Sequence, residues 1–184
     1  MLSLSEEERK NLLQLARRAV ADAVARLALP DSIPHHGIFG ERRGVFVTLH
    51  VHGALRGCIG TTEGDEPLSE AIVRCAASAA LHDQRFAPVR ADELDALEIE
   101  ISLLSALAPI RPEEIELGRH GLVISRGGRR GLLLPQVAAE HGWTREQFLA
   151  ETSRKAGLPR DAWQSPATLI QGFTCEVLAE SERY

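Results

Sequence analysis

The stretch from Leu97 to Leu103 alternates apolar and polar residues without a break. The apolar positions are Leu97, Ile99, Ile101 and Leu103, and the polar positions between them are Glu98, Glu100 and Ser102. Because successive side chains of a β-strand point to opposite faces, this pattern predicts a strand with one buried face and one polar face. Such a strand needs neighbouring strands and an apolar layer over its buried face, so the chain must contain a sheet packed against other elements.

Helices are predicted on either side of this strand in the sequence. Residues 5–28 carry apolar residues at helical spacing, and Ser5 followed by Glu8 has the spacing of a capping box. A second helix is predicted from about Pro67 to Leu81, with an apolar stripe that contains small residues and can therefore sit close to a sheet.

Further strands are predicted in two hairpins and one last segment. Gly44 to Val51 is rich in β-branched and aromatic residues, and Ala54 to Ile59 follows it after a turn at Gly53. Residues 120–134 predict a second hairpin with an arginine- and glycine-rich tip, and Leu169 to Ala179 predicts the last strand. Helices mixed with hairpins predict an α+β fold with a mainly antiparallel sheet flanked by helices.

Two prolines suggest how the chain divides. Pro109 and Pro112 mark a boundary or linker after the alternating strand. We therefore expect a larger lobe formed by residues 1–108 with 168–184 and a smaller lobe formed by residues 109–167. A chain of 184 residues is long enough for one domain or for two small lobes of this kind.

Composition excludes several classes of function. Hydrophobic residues make up 44% of the chain, as in an ordinary globular protein, and the net charge of −5 argues against a general nucleic-acid binder. Cys58, Cys75 and Cys175 are far apart and odd in number, so we expect no disulfide framework and a reducing, cytoplasmic location. The acidic N-terminus has no signal-peptide pattern, and no apolar run approaches the ~20 residues that span a bilayer.

The segment from Leu55 to Gly60, Leu-Arg-Gly-Cys-Ile-Gly, is the best candidate for chemistry. Cys58 stands between two glycines, and Arg56 lies two residues away, hence on the same face of a regular strand. An arginine beside a thiol favours the reactive thiolate, and Gly57 and Gly60 let a backbone or a ligand approach closely. The alternative is that Cys58 is a small buried hydrophobic residue and that the glycines serve packing.

A nucleophilic cysteine needs a partner that accepts its proton, and two candidates are available. His120 precedes a glycine at the mouth of the second predicted hairpin, and Glu100 points away from the buried face of its strand. The alternatives are a hairpin-edge hydrogen bond for His120 and a solvated outer position for Glu100. Arg85 either pairs with Asp83 or reaches the cysteine, in which case Arg56 and Arg85 together suggest an anionic substrate.

Other polar clusters carry weaker signals. No cysteine or carboxylate lies at motif spacing from the neighbouring histidines, so no metal site is predicted from His35, His36, His50 and His52. The arginines of the glycine-rich tip either grip a phosphate or lie in water, at Arg126, Arg129 and Arg130. The chain has no Walker A motif and no G-x-G-x-x-G motif, and we predict no cofactor.

Several segments, in order along nearly the whole chain, resemble the AMMECR family, whose prokaryotic members are called AmmeMemoRadiSam system protein A. The signature Leu-Arg-Gly-Cys-Ile-Gly is unbroken at residues 55–60. The other matching segments are Asp83-x-Arg85-Phe86-x-Pro88, residues 99–105, His120-Gly121, Leu134-Pro135-Gln136-Val137, and Lys155-Ala156-Gly157 before Trp163.

The resemblance implies a two-lobed α+β fold, a cytoplasmic location, and association with a radical-SAM enzyme and a Memo-type protein. It implies no known reaction. Two hypotheses follow. In the first, the chain is an enzyme that uses a cleft with Cys58 to act on an anionic small molecule or protein group. In the second, it is a non-catalytic binding subunit that docks a radical-SAM or Memo-type partner.

Overall fold

The structure is a computed structural model that describes residues 4–28 and 34–180. The described residues fold into two compact units: those up to Leu104 form one unit together with those from Glu176 onward, and residues 105–175 form the other. The predicted α+β class with antiparallel pairing is confirmed. The strand pairs described below, all within the described residues, are antiparallel. The boundaries placed at the prolines, with a smaller lobe at 109–167, stay a prediction.

The first unit contains two long helices and three strands. Its elements are α1 (Glu6–Val24), a 3-10 turn (Gly37–Gly40), β1 (Val45–Val51), β2 (Ala54–Thr61), α2 (Leu68–Leu81), a 3-10 turn (Ala91–Ala96) and β3 (Leu97–Leu104). β1 lies between β2 and β3 and pairs with each of them in antiparallel register. The predicted first hairpin and the predicted alternating strand are therefore confirmed.

The helix α1 begins where the capping box was predicted. The backbone N–H of Ser5 donates to Glu8 Oε2 at 2.9 Å, and the N–H of Glu8 donates back to Ser5 Oγ at 3.3 Å. The helix ends at Val24, four residues earlier than predicted, and Arg26 has a positive φ of 57°. The sequence predicts Pro30 as the residue that ends this helix, and Pro30 lies outside the described residues.

The two faces of the β1–β3 strands differ sharply in chemistry. One face joins α1 and α2 in the core of the unit, through Val45, Val47, Leu49, Leu97, Ile99, Ile101 and Leu103. The opposite face carries Phe46, Thr48 and His50 of β1 together with Glu98, Glu100 and Ser102 of β3. The alternation read from the sequence thus places mostly polar residues on the side of the sheet away from this core, and two of them, Thr48 and Ser102, are buried.

The second unit is a smaller sheet covered by short helices. Its elements are β4 (Ala108–Pro109), a 3-10 turn (Pro112–Glu114), β5 (His120–Arg126), β6 (Arg129–Leu133), α3 (Pro135–Glu140), α4 (Arg145–Lys155), a 3-10 turn (Ala162–Gln164) and β7 (Leu169–Ala179), whose residues from Glu176 belong to the first unit. β5 pairs with β6 and with β7. The core of this unit surrounds the fully buried Phe148 of α4.

The predicted second hairpin is confirmed, including its tip. Gly127 and Gly128 form a two-residue turn between β5 and β6, with φ values of 58° and 78°. Both values lie in the left-handed region, which side chains disfavour and which the right-handed twist of a tight hairpin requires. The turn places Arg126 directly opposite Arg129 at the ends of the two strands.

Candidate active site around Cys58

Cys58 lies on β2 and belongs to a row of three side chains across the first sheet. It pairs with Thr48 of β1, which in turn pairs with Glu100 of β3. The hydroxyl of Thr48 donates a hydrogen bond to the sulfur of Cys58 at 3.3 Å. Cys58 is only partly buried and is not a member of the hydrophobic core. In the structure Cys58 is therefore not a buried core residue, unlike in the alternative drawn from the sequence.

The main chain of Cys58 is held by one ion pair. β2 is the edge strand of its sheet, and the N–H of Cys58 donates to Asp83 Oδ2 at 2.8 Å. Arg85 Nη2 donates to the carbonyl oxygen of Cys58 at 3.2 Å. The same arginine binds both oxygens of Asp83, with Nε to Oδ1 at 2.9 Å and Nη2 to Oδ2 at 2.7 Å. Both alternatives for Arg85 thus hold at once: it pairs with Asp83 and it reaches Cys58.

The pairing fixes the charge of Asp83. The side-chain hydrogen bonds from Arg85 hold the pKa of the Asp83 carboxyl well below its usual range, and the N–H groups of Cys58 and Arg85 act in the same direction. Burial of the carboxyl opposes this shift and is outweighed. The Asp83 side chain is 5% exposed, whereas that of Arg85 is 57% exposed. Asp83 is therefore a buried ion, and its partner keeps one side open to solvent.

Arg56 is turned away from the regular alternation by a β-bulge. The register between β1 and β2 shifts between Leu49 and His50, which leaves Arg56 as the extra residue on β2. Its Nε donates to Glu93 Oε1 at 2.7 Å, its Nη2 donates to Glu93 Oε2 at 3.0 Å, and its Nη1 donates to the carbonyl of Ala87 at 2.8 Å. Arg56 is thus committed to the segment that follows α2, and its charge is neutralised by Glu93.

The two glycines of the segment lie beside other parts of the protein. A Cβ on Gly57 would overlap the carbonyl oxygen of Ala79 on α2, so the glycine permits the helix to approach the strand. A Cβ on Gly60 would overlap the ring of Phe46 on the opposite face. These contacts agree with the packing alternative. The prediction that Gly57, Gly60 and Arg56 also contact a substrate stays a prediction.

The structure places the two proton-handling candidates in different units. Glu100 follows Thr48 in the Cys58 row, about 10 Å from Cys58 by two strand spacings. His120 lies in the second unit, where its Nδ1 accepts a hydrogen bond from the N–H of Glu116 at 3.0 Å. A neutral ring that accepts at Nδ1 carries its proton on Nε2, so in this geometry His120 has no free nitrogen to accept the proton of a thiol. Their catalytic roles stay predictions.

Sequence reasoning missed Thr48, the residue in direct contact with the sulfur. Thr48 belongs to no motif, and it is brought to Cys58 only by the register of β1 against β2. It also missed Glu93, the partner of Arg56. No local pattern links Arg56 to a carboxylate 37 residues further along the chain. The sequence did offer one hint that the segment after α2 approaches β2, since Arg85 was a candidate to reach Cys58.

The remaining polar groups and cysteines add no second centre. In residues 4–28 and 34–180, no three histidine, cysteine or acidic side chains lie close enough together to hold a metal ion. None of the three cysteines forms a disulfide, and burial raises the pKa of the Cys75 thiol to about 11. Within the same described ranges, no helix is both long and apolar enough to cross a membrane.

Comparison with known proteins supports the resemblance drawn from the motifs. The AMMECR1 family model matches residues 13–178. A protein of Methanothermobacter thermautotrophicus is 43% identical over 187 residues, which cover 96% of each chain. A protein of Thermococcus kodakarensis is 43% identical over 98% of this chain and 94% of its own.

The fold is also similar to a solved structure. The crystal structure of the uncharacterized protein PH0010 from Pyrococcus horikoshii matches with a TM-score of 0.86 and 40% sequence identity, and the match covers 95% of this chain and 92% of that one. Sequence and fold agree over nearly the same residues, and the chain belongs to the AMMECR1 family.

Proposed function

We propose that this AMMECR1-family chain is a cysteine-dependent enzyme in which Cys58 reacts with a small molecule or a protein group that Arg85 helps to bind. The observation that carries the proposal is the position of the Cys58 sulfur, which lies on the polar face of the sheet and accepts a hydrogen bond from Thr48. A purely structural cysteine would be expected to face the core, as Cys75 of the helix α2 does in the same unit.

The surroundings of Cys58 support a site whose geometry is fixed in advance. Both main-chain groups of Cys58 are held by the Asp83–Arg85 pair, so the residue cannot shift along the edge of the sheet. In this proposal Arg85 contacts the substrate, Glu100 of the same unit handles protons, and Arg56 braces the wall of the site through Glu93. The chain works in the cytoplasm, where its three cysteines, none of them in a disulfide, stay reduced.

The test is the alkylation of Cys58 by iodoacetamide, measured peptide by peptide with mass spectrometry. We expect Cys58 in the folded chain to react at least as fast as in the urea-unfolded chain, because its sulfur is held on the polar face. Cys75 serves as the internal control and should be protected by its burial in the folded chain. A Cys58 that is protected as strongly as Cys75 would contradict the proposal.

A second function, that of a binding subunit, is favoured by the contacts that the Leu55–Gly60 segment makes within its own unit. Arg56, Gly57 and Gly60 each have their side-chain space or charge taken up by other parts of the unit. This pattern suits a binding subunit, in which the segment shapes a docking surface for a radical-SAM or Memo-type partner. If the complex forms and stays active with Cys58→Ser, the binding function is supported. If activity of the complex is lost while assembly is kept, the enzyme function is supported.

A further inference from the structure

The hydrogen-bonding capacity left on Arg85 limits what it can bind. A guanidinium has five N–H groups. The N–H of Nε and one N–H of Nη2 bind the carboxylate of Asp83, and Nη2 also donates to the carbonyl of Cys58. The two N–H groups of Nη1 are outside these contacts, on a side chain that is 57% exposed. A ligand can therefore meet one nitrogen of Arg85 but not the two-nitrogen fork that holds a phosphate in bidentate fashion.

The charge around Cys58 limits the ligand further. Asp83 compensates Arg85, and Glu93 compensates Arg56. Glu100 adds a carboxylate in the same row as Cys58, and Glu98 lies on the same face of β3. Each of the two arginines is therefore paired with a carboxylate and adds no surplus of positive charge to the segment. A dianion is best held by more than one cationic donor, whereas Arg85 offers a ligand one nitrogen.

We propose that the Cys58 site binds one oxygen of a carboxylate through Arg85 Nη1, in preference to an uncharged amide and to a phosphate ester. The inference rests on the proposed function and narrows its substrate class. One nitrogen with two N–H groups matches one oxygen that carries at most a partial or single negative charge. The bound carboxylate would then lie beside the residue whose main chain Arg85 already contacts.

The first experiment compares two reagents that differ in one group. Iodoacetate carries a carboxylate and iodoacetamide carries an amide, and both alkylate a thiol by the same displacement of iodide, with loss of the thiol proton to solvent. The rate of Cys58 with iodoacetate is divided by its rate with iodoacetamide. This ratio is then normalised by the same ratio measured for N-acetylcysteine. We expect this normalised ratio to lie about two- to fivefold above one in the wild-type chain, which is the range of a partly exposed ionic hydrogen bond.

The matched variants are Arg85→Gln and Arg90→Gln. Arg85→Gln removes the guanidinium beside Cys58 and should bring the normalised ratio back to about one. Arg90 belongs to the same segment, but its side chain is 77% exposed and pairs with Asp92, so Arg90→Gln should leave the ratio as in the wild type. A normalised ratio at or below one in the wild-type chain overturns the inference.

A second measurement needs no variant and therefore does not depend on whether Arg85→Gln folds. The wild-type chain is alkylated with iodoacetamide in the presence of acetate or of inorganic phosphate at matched ionic strength. We expect acetate to slow the alkylation of Cys58 more than phosphate does. Stronger protection by phosphate overturns the inference and leaves the reactive Cys58 in place. A Cys58 that neither reagent labels in the folded chain overturns the proposed function and the inference with it.

Discussion

Replacing Asp83 with asparagine removes the charge of the ion pair that holds Cys58 while keeping the shape of the side chain. Oδ1 of Asp83 accepts hydrogen bonds from Arg85 N at 3.1 Å and Arg85 Nε at 2.9 Å. Oδ2 accepts from Cys58 N at 2.8 Å and from Arg85 Nη2 at 2.7 Å. In Asp83→Asn one of these oxygens becomes an NH2 group, so two donors face a donor whichever way the amide is turned.

The expected loss follows from the burial of the two partners. Because the Asp83 side chain is 5% exposed, a main-chain N–H left without its acceptor there costs about 1–3 kcal/mol. The ionic part adds only about 0–1 kcal/mol, since Arg85 is 57% exposed and solvent screens it. The free energy of unfolding should therefore fall by about 1–4 kcal/mol. In a chain of this length the melting temperature should fall by about 2–16 °C.

The assay is urea unfolding followed by far-ultraviolet circular dichroism, with Asp92→Asn as the matched control. Asp92 pairs with Arg90 on the same segment, but both side chains are exposed, at 67% and 77%. Its replacement should change the free energy of unfolding by less than about 0.5 kcal/mol. If Asp83→Asn is as stable as Asp92→Asn, the ion pair does not hold the edge of the sheet as argued.

The same pair predicts how stability depends on pH. The pKa of Asp83 is lowered in the folded chain, so the ionised form is the one that folding favours. Its contribution is fully present above the unfolded pKa of about 3.9 and is lost progressively as the pH falls below that value towards the lowered folded pKa. The stability difference between the wild type and Asp83→Asn should thus be constant near neutral pH and shrink below about pH 4. A difference that grows on acidification contradicts the sign of the linkage.

Three further substitutions test the packing around the site and the second core. Gly57→Ala should lower the free energy of unfolding by about 1–3 kcal/mol, because the new Cβ overlaps main-chain Ala79, and an unchanged urea midpoint would refute the close approach. Phe148→Ala should cost about 3–5 kcal/mol, because Phe148 is fully buried, and tryptophan fluorescence reports it. Arg56→Gln should lower the free energy of unfolding by about 1–2 kcal/mol, because Glu93 loses its ion-pair partner. A melting temperature equal to that of the wild type would contradict this role of Arg56.

Local patterns predicted the elements because each depends on a few neighbouring residues. The alternation from Leu97 to Leu103 predicted both the strand and its two faces, and Ser5 with Glu8 predicted the start of α1. Gly127 and Gly128 predicted the tip of the second hairpin, since their positive φ values are open to glycine at little cost. Periodicity, capping and turn chemistry act within about one turn or one strand, so they can be read in order along the chain.

The orientation of Arg56 shows where this local reasoning stops. Regular alternation would place it on the same face as Cys58, and the bulge on β2 sends it to Glu93 instead. A bulge depends on how two strands settle against each other, and neither strand carries its signature alone. The same holds for Thr48, whose contact with the cysteine sulfur follows from strand register.

By itself the sequence determined which family the chain belongs to, where its strands and helices lie, and that one cysteine segment stands apart from the rest. Only the tertiary structure decided what surrounds that cysteine. The register of β1 supplies Thr48, and the segment after α2 brings Asp83 and Arg85 to the edge of β2. The physical reason is that hydrogen bonds and ion pairs need atoms within about 3 Å of each other, and the distance between residues far apart in sequence is set only when the chain is packed.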